Sequence, residues 1–532
     1  MGIFISVEKT IECVLIAVIY ACLLVMISGK ILGMMQSCAY VGKKLVKWTR
    51  RKNNMLMSRL SLLTLASLLT YCILSLCFSF VGQWSAVIGL AAIVIFCFTY
   101  LYADAKHSVK SPVTLTPRLK RLYRVLWLLL AILIYIVVTL LNFADYVWGQ
   151  VLFTSLKYVV LTFFPVLLVP IVCFANLICL VYEKPKNAKY IREARQKLAA
   201  SGATVVGITG SYGKTSAKNI LSHLLDGDYK VLSTPRSYNT PLGIARALNE
   251  SEEEFNLFIA EMGARHVGDI EELCSYFTPD YALITGICNQ HLESFGSIDN
   301  IISEKGKIIK AAKNFTCIAK GCASLFTGEE GKIKTADIVK DVLSDSTGTQ
   351  FTLTLGGQDI RVKTKLLGEH SAYNIGLCAL LAYELGVSAE HIAERIASIE
   401  YIEHRLQPIV SNGVNIIDDG YNSNIIGARA ALKVLSTFGG RKIVVTPGLV
   451  ELGILEEEEN RALGARLVGV DRVILVGETL VGVISEGYKE AGGDMEKLTV
   501  VHTLTDAQEE LKGRLLAGDT VLFLNDLPDM YI

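Results

Sequence analysis

No Cys-x-x-Cys pair occurs anywhere in the chain. Its absence argues against a zinc ribbon or a disulfide framework, which need paired cysteines at set spacings. Of the 13 cysteines, eight precede residue 182 and lie mostly in apolar runs, where cysteine behaves as a small hydrophobe. The soluble part therefore reads as cytosolic. A surplus of one charge sign is also missing: the net charge is +1, which argues against a nucleic-acid partner held by a basic surface. Low-complexity tracts and clear repeats are absent as well. Hydrophobicity is abundant, at 52% of 532 residues, and it is concentrated in the N-terminal third.

Five segments, near 11–28, 56–80, 83–102, 122–143 and 151–182, reach the roughly 20 apolar residues that cross a bilayer. The first is no cleaved signal peptide, with Glu8 on its flank and no small-residue cleavage site before Lys30. Lys30, Lys43, Lys44, Lys47, Arg50, Arg51 and Lys52 follow the first segment. Lys106, Lys110, Arg118, Lys120 and Arg121 follow the third, and Lys184, Lys186, Lys189 and Arg192 the fifth. The connections near Gly82–Gln83 and in "NFADYVWGQ" carry no Lys or Arg. Positive charge alternates with each crossing, so the expectation is a multi-pass protein of the cell membrane, N-terminus outside and everything after residue 183 in the cytoplasm. Lys157 near the start of the fifth segment is expected to snorkel outward, and Pro165 and Pro170 to kink that segment. No charged intramembrane line argues for transport, and the bland reading of this region is an anchor in membrane lipid.

From about residue 203 short β-branched runs alternate with helical stretches, the pattern of an α/β fold with parallel sheets. "ATVVGIT" reads as a buried strand, "GSYGKT" as a glycine turn and "SAKNILSHLL" as the helix that follows. The stretch "ADIVKDVLSDSTGTQFTLTLGGQDIRVKTKLLG" reads as an antiparallel insertion, and a second α/β domain begins around "SIEYIEHRLQP". The expected domains are a transmembrane region 1–183, a linker helix 184–202, an ATP-binding domain 203–400 and a C-terminal Rossmann-like domain 401–532.

A strand, glycine turn, lysine and helix place backbone N–H groups and a helix N-terminus on phosphates, with the lysine neutralising charge and the threonine reaching Mg²⁺. Here those residues are Gly210, Gly213, Lys214 and Thr215, with Ser211 and Ser216 completing the loop. The strict pattern would have glycine where this chain has Ile208.

"GITGSYGKTS" resembles the phosphate loop of the Mur ligases, which join amino acids or peptides to peptidoglycan precursors. The likeness continues in order through "TPRSYNTPLGI", "AEMGARHVGDIEELC", "HLESFGSIDNIISEKGKII", "LLGEHSAYNIGLCALLAYELG", "EHRLQ", "IIDDGYNSN" and "VVTPGLVELG". These resemble the D-alanyl-D-alanine-adding branch in particular and cover roughly residues 200–532. The resemblance implies a central P-loop ATPase domain and a C-terminal Rossmann-like domain. It also implies an ATP- and Mg²⁺-dependent ligase that forms an amide through an acyl phosphate.

It implies residue roles too. Glu261, at the end of an apolar strand where an α/β fold keeps its site, resembles the Mg²⁺-binding glutamate. His291 resembles a ligand of a second Mg²⁺, and Lys305 a lysine that can be carbamylated, with Lys307 competing for that register. Asn374 resembles an adenine contact and Arg405 the arginine that reaches the γ-phosphate on domain closure. Asp419 resembles the ribose contact, with Asp418 as competitor. Ser237, Tyr238, Asn239, Tyr421, Asn422 and Asn424 are expected to meet substrate, and the acidic run 456–460 to be a solvated helix start.

The chain departs from the family where membrane segments stand in place of a small UDP-gripping domain, and at Gly286, Ser371 and Ile425. The last three positions usually hold two asparagines and a proline. The acceptor is therefore open between a UDP-linked and a lipid-linked muropeptide, with an amino acid or dipeptide such as D-Ala-D-Ala as the amine. A polyglutamate-type acceptor, a silent membrane scaffold for wall enzymes and an ATP-driven transporter are the alternatives. Loss of Lys214, Glu261 or Arg405 would favour a scaffold, and all three are present.

Overall fold

The computed structural model describes residues 7–50, 56–77, 91, 93–95, 97–99, 114–148, 152–421 and 424–525. The chain divides into two compact units, residues 1–186 and 187–527.

The first unit is helical, with elements at Val7–Ile27, Gly29–Ser37, Gly42–Thr49, Leu56–Cys77, Pro117–Trp148 and Leu152–Thr162, and with the first part of helix Leu168–Ser201, whose remainder from residue 187 belongs to the second unit. Among the described residues, four helices are long and apolar enough to cross a membrane: Lys9–Ile27, Leu56–Ile73, Pro117–Ala144 and Leu168–Ser201. Most of the expected third segment, 83–102, lies outside the described residues. The expected segment 151–182, rather than kinking, breaks in full. Its first part ends at Thr162, and hydrogen-bonded turns over Phe163–Leu167 lead into the next helix. Pro165 lies in that break, because proline has no N–H to continue a helix, whereas Pro170 falls in the first turn, where none is needed.

Lys157 does not snorkel. It is 3% exposed, and its ammonium donates to Glu12 Oε1 at 3.3 Å and Asn142 Oδ1 at 3.2 Å. A buried ammonium needs an anionic or dipolar partner more than it needs reach. Cys13, Cys38, Cys97 and Cys179 are buried in the same apolar core, and all four are free thiols.

The second unit holds two sheets. Strands β1 (Thr204–Thr209), β2 (Val231–Ser233), β3 (Leu257–Glu261), β4 (Tyr281–Ile284), β5 (Thr316–Ala319) and β6 (Ile333–Ala336) form a parallel sheet in the order β2-β3-β1-β4-β5-β6. Its central strands are buried almost throughout because helices cover both faces. Helices Lys214–Leu225 and Glu369–Glu384 pack on one face, and Pro241–Glu250, Asp269–Tyr276 and Ile298–Ala311 on the other, joined by Ile191 and Ala194. Strands β7 (Val339–Asp345), β8 (Gly348–Leu355) and β9 (Gln358–Thr364) form the antiparallel insertion.

Strands β10 (Gln407–Ser411), β11 (Val414–Asp419), β12 (Lys442–Thr446), β13 (Arg472–Val476), β14 (Leu498–Val501) and β15 (Thr520–Leu524) make the second sheet, ordered β10-β11-β15-β12-β13-β14. All its pairings are parallel except β10–β11. The acidic run opens helix Glu456–Arg466, where carboxylates meet the positive end of the helix dipole. Asn460 of that run is the exception. It is fully buried, and its amide bonds both the N–H and the C=O of Leu449, pinning the loop that follows β12.

Candidate active site

The C-terminal ends of β1, β3 and β4 lie side by side, the usual place for a ligand in an open parallel sheet. After β1 the chain turns through Gly210 at φ 153° and Gly213 at φ 76°, conformations that exclude most side chains. Helix Lys214–Leu225 starts there, so its first N–H groups point at the turn.

Lys214 Nζ donates to Gly210 O at 2.7 Å, and Lys305 Nζ donates to the same oxygen at 3.0 Å. Two ammonium groups thus converge on one carbonyl. Burial, with the nearby Lys214 charge as the lesser cause, pushes Lys305 down to about 7; burial also lowers Lys214, against Glu261. Lys305 occupies the buried stripe of helix Ile298–Ala311 with Ile301 and Ile308. Lys307 faces away and pairs with Glu304 at 2.9 Å and Glu271 at 3.0 Å.

Glu261, at the tip of β3, is 1% exposed and has three partners. Thr215 Oγ1 donates to its Oε2 at 3.0 Å, Asn239 Nδ2 to its Oε1 at 3.3 Å, and Lys218 Nζ lies 3.4 Å from Oε2. Lys218 escaped the sequence reading. Its signal was a lysine on the buried stripe of its helix, alongside Leu221 and Leu225, one turn after Lys214. Its ammonium also bonds the carbonyl of Arg236, which ties the 234–240 loop to the phosphate-loop helix. In that loop Asn239 reaches Glu261, whereas Tyr238 lies under the Arg246 guanidinium at 5.5 Å and Ser237 is half-buried.

Thr215 and Glu261 suit a hard cation: a hydroxyl and a carboxylate already aligned with each other. Among the described residues no group of three or more His, Cys, Asp or Glu could hold a metal by itself. That donor set fits Mg²⁺ taken up together with phosphate oxygens, which usually supply much of its shell.

Ser211 turns toward the β4 end: its N–H donates to Gly286 O at 2.7 Å and its hydroxyl to Cys288 O at 3.2 Å. Ser216 is half-buried on the first turn of the helix. Asn374 is buried against the turn, so close that a Cβ on Gly213 would stand 3.1 Å from its Oδ1.

His291 takes a left-handed conformation, φ 58°, and its Nδ1 pairs with Glu451 from the loop after β12. Burial lowers the imidazole and Glu451 opposes that. Arg265 Nη1 lies 3.8 Å from Glu451 Oε1. Neither Arg265 nor Glu451 was singled out from sequence, and a contact across 160 residues leaves no local trace.

The crossover into the second sheet carries Arg405 between two non-glycine residues at positive φ, His404 at 58° and Leu406 at 44°. Such conformations persist where the surroundings over-determine them. Arg405 donates to Tyr421 O at 2.7 Å, with the guanidinium 5.0 Å from the Tyr421 ring. Burial lowers it, while Asp419 and Glu261 hold it up. Asp419 is buried, accepts from Leu406 N at 3.3 Å, and is raised by burial to about 7 against the pull of Arg405. Asp418 instead pairs with His404 at 2.7 Å on the outer side. Asn424 caps helix Ile425–Ser436 by accepting from Gly427 N at 2.9 Å, and Asn422 lies outside the described residues.

The structure therefore brings Lys214, Thr215, Glu261, Lys305, Asn239 and Asn374 together on the first sheet, with Arg405 and Asp419 arriving from the second. Such a set can hold a polyanion and a divalent cation at once.

Residues 208–382 match the family described as Mur ligase middle domain, and residues 404–525 the Mur ligase, glutamate ligase domain. The chain is 28% identical over 334 residues to the UDP-N-acetylmuramoyl-tripeptide–D-alanyl-D-alanine ligase of Escherichia coli K12, covering 59% of this chain and 74% of that protein. It is 28% identical over 352 residues to the Bacillus subtilis 168 protein of the same name, with 62% and 74% covered. Among solved structures, MurF of Thermotoga maritima in complex with ADP matches with a TM-score of 0.58 and 26% identity, over 65% of this chain and 81% of that one. MurF of Acinetobacter baumannii shares the fold, with a TM-score of 0.58 and 24% identity over 64% and 77%.

Proposed function

We propose, from the premise that this chain carries the middle and C-terminal domains of a Mur ligase, that it adds a D-Ala-D-Ala-type dipeptide to a muramoyl-peptide precursor of the cell wall. The chain is an ATP-dependent peptide ligase that forms a C–N bond. The observation that carries the reading is the pair of lysines on Gly210 O beside the Thr215–Glu261 pair, faced by Arg405.

The acceptor carboxylate attacks the γ-phosphorus of ATP; the bond to the bridging oxygen breaks and ADP leaves with its electron pair. The dipeptide amine, having lost its proton, then attacks the acyl carbon, and inorganic phosphate departs as the amide forms. Gly210, Ser211, Gly213 and Ser216 shape the cradle, and Lys214 takes up charge on the phosphates. Thr215 and Glu261 would hold Mg²⁺ and His291 would serve a second ion; bound Mg²⁺ would screen the charge that builds as phosphorus changes partners. Asn374 meets the adenine, Asp419 the ribose and Arg405 the γ-phosphate. Ser237, Tyr238, Asn239, Tyr421, Asn422 and Asn424 face the acceptor and amine.

Lys305 is a carbamylation site in this reading. Its amine, pushed down to about 7 by burial, is partly neutral at neutral pH, as attack on CO₂ requires. Residues 1–183 anchor the enzyme in the cell membrane with the N-terminus outside, 184–202 link, and the catalytic domains 203–400 and 401–532 lie in the cytoplasm. The apolar helices of the first unit favour a second reading, in which the acceptor is already lipid-linked.

The test is phosphate release by detergent-purified protein with ATP, Mg²⁺ and D-Ala-D-Ala, given either the UDP-linked muramoyl-tripeptide or its lipid-linked counterpart, with product mass checked. Turnover of the UDP form supports the first reading and turnover of the lipid form alone the second. Silence with both overturns the proposed acceptor class.

A further inference from the structure

The phosphate loop and the segment after β4 meet so closely that each side presents a glycine to the other. A Cβ on Gly210 would press into Thr285 and stand 3.2 Å from Gly286 N. A Cβ on Gly286 would run into the ring of Tyr212, 2.5 Å from Oη and 2.6 Å from Cε1, closer than real Cβ atoms come. Gly286 is not among the positive-φ glycines, so its backbone would accept a side chain, and the three atoms nearest to such a side chain all belong to Tyr212. Around the ring, Ser211 N–H donates to Gly286 O at 2.7 Å, Ser211 Oγ donates to Cys288 O at 3.2 Å, and the Thr285 hydroxyl donates to the carbonyl of Tyr212. Half-buried Tyr212 has its phenol pushed up to about 12, mainly by burial, so it stays neutral and acts through shape.

The two joined segments carry different parts of the site. One holds Lys214 and Thr215, and the other runs on to His291 five residues after Gly286. We propose that Tyr212 is a positioning residue whose ring, seated on Gly286, locks the phosphate loop to the 285–291 segment, so that the phosphate-holding groups and His291 keep one spacing. Packed interfaces of this kind transmit displacement rather than absorb it. The inference rests on the ATP-site reading above but not on the identity of the acceptor.

The test is a double-mutant cycle on the full chain in detergent. It reads the Kd for ADP with Mg²⁺ and, where an acceptor is turned over, KM for ATP and kcat. Tyr212→Phe keeps the ring and stays within about twofold of the parent, whereas Tyr212→Ser weakens ADP about tenfold with an unchanged unfolding midpoint. Gly286→Ala alone drives the ring out and matches Tyr212→Ser. In the Tyr212→Ser/Gly286→Ala double variant the methyl has room, so the loss is no greater than in either single variant, a coupling of about tenfold. Parent-like ADP affinity in Tyr212→Ser, or single effects that multiply, overturns the proposal. If Gly286→Ala does not fold, the contrast between Phe and Ser at 212 decides. ADP binding is readable even when every acceptor fails, so failure of the functional reading and failure of this one look different.

Discussion

Buried lysines in the two units have opposite surroundings. In the helical unit Lys157 reaches a carboxylate, Glu12, and an amide, Asn142. At the phosphate loop of the second unit Lys214 and Lys305 share one backbone carbonyl, and neither hydrogen-bonds a carboxylate. A buried charge with a protein counter-ion is a closed account of local stability, whereas amines gathered on one weak acceptor are left open to chemistry from outside, which the proposed function assigns as a phosphate at Lys214 and CO₂ at Lys305. Lys218 stands between the two cases: it is paired with Glu261, but Glu261 also belongs to the Thr215 cluster.

The sharpest way to break this contrast is Lys214→Ala. Phosphate release should fall by about 10³-fold, because a charge aimed at the transferring phosphoryl group is lost. A variant with parent activity would remove the anion-receiving role.

Lys218→Met removes the cation paired with the Glu261 carboxylate, whose side chain is 2% exposed and keeps only the neutral donors Thr215 and Asn239, and should destabilise the fold by about 3 kcal/mol. Lys157→Met leaves Glu12, which is 45% exposed, and should move the thermal midpoint less. Equal shifts would erase the distinction between a sealed pair and an open one. Arg405→Ala should cut kcat by about 10²-fold while the Kd for ADP moves far less, as expected for a group that matters most in the transition state. Equal losses in both would place Arg405 in ground-state binding.

The pH dependence of Lys305 sharpens the comparison further. With its value near 7, against 10.5 for an ordinary lysine, the unfolded chain binds more protons across that window. Its contribution to stability therefore rises with pH from about 7 to 10.5 and is least favourable below 7. Carbamylation, followed by NMR with ¹³C-bicarbonate, should likewise increase from pH 6 to 8 and vanish in Lys305→Arg. The smallest effect belongs to Lys307→Ala, which should stay within about twofold in turnover, since that side chain faces away from the Gly210 carbonyl and the buried Glu304 keeps its bonds from Gly268 N and Ile270 N when Lys307 is gone.

Much of the architecture was legible because it is written in short-range pattern. The apolar runs, the β-branched strands from β1 onward and the Gly-Lys-Thr turn each declare themselves within a dozen residues. Adjacent polar residues did not. Lys305 and Lys307, or Asp418 and Asp419, are equivalent as letters, and the phase of a helix or strand against the core chooses between them. Pro165 signalled a kink in that span, but hydropathy, averaged over a turn that keeps its apolar character, hid that the helix stops outright over Phe163–Leu167.

By itself, the sequence determined that apolar helices precede a phosphate-binding α/β enzyme, since hydrophobic period and glycine geometry act between near neighbours. Only the tertiary structure decided that Lys157 pairs with Glu12, that Lys218 holds Glu261, that Glu451 meets His291 and that Tyr212 claims the space above Gly286. Those pairings join residues far apart in the chain. Their energies depend on burial and on distances of a few ångströms, quantities that exist only once the sheets have closed.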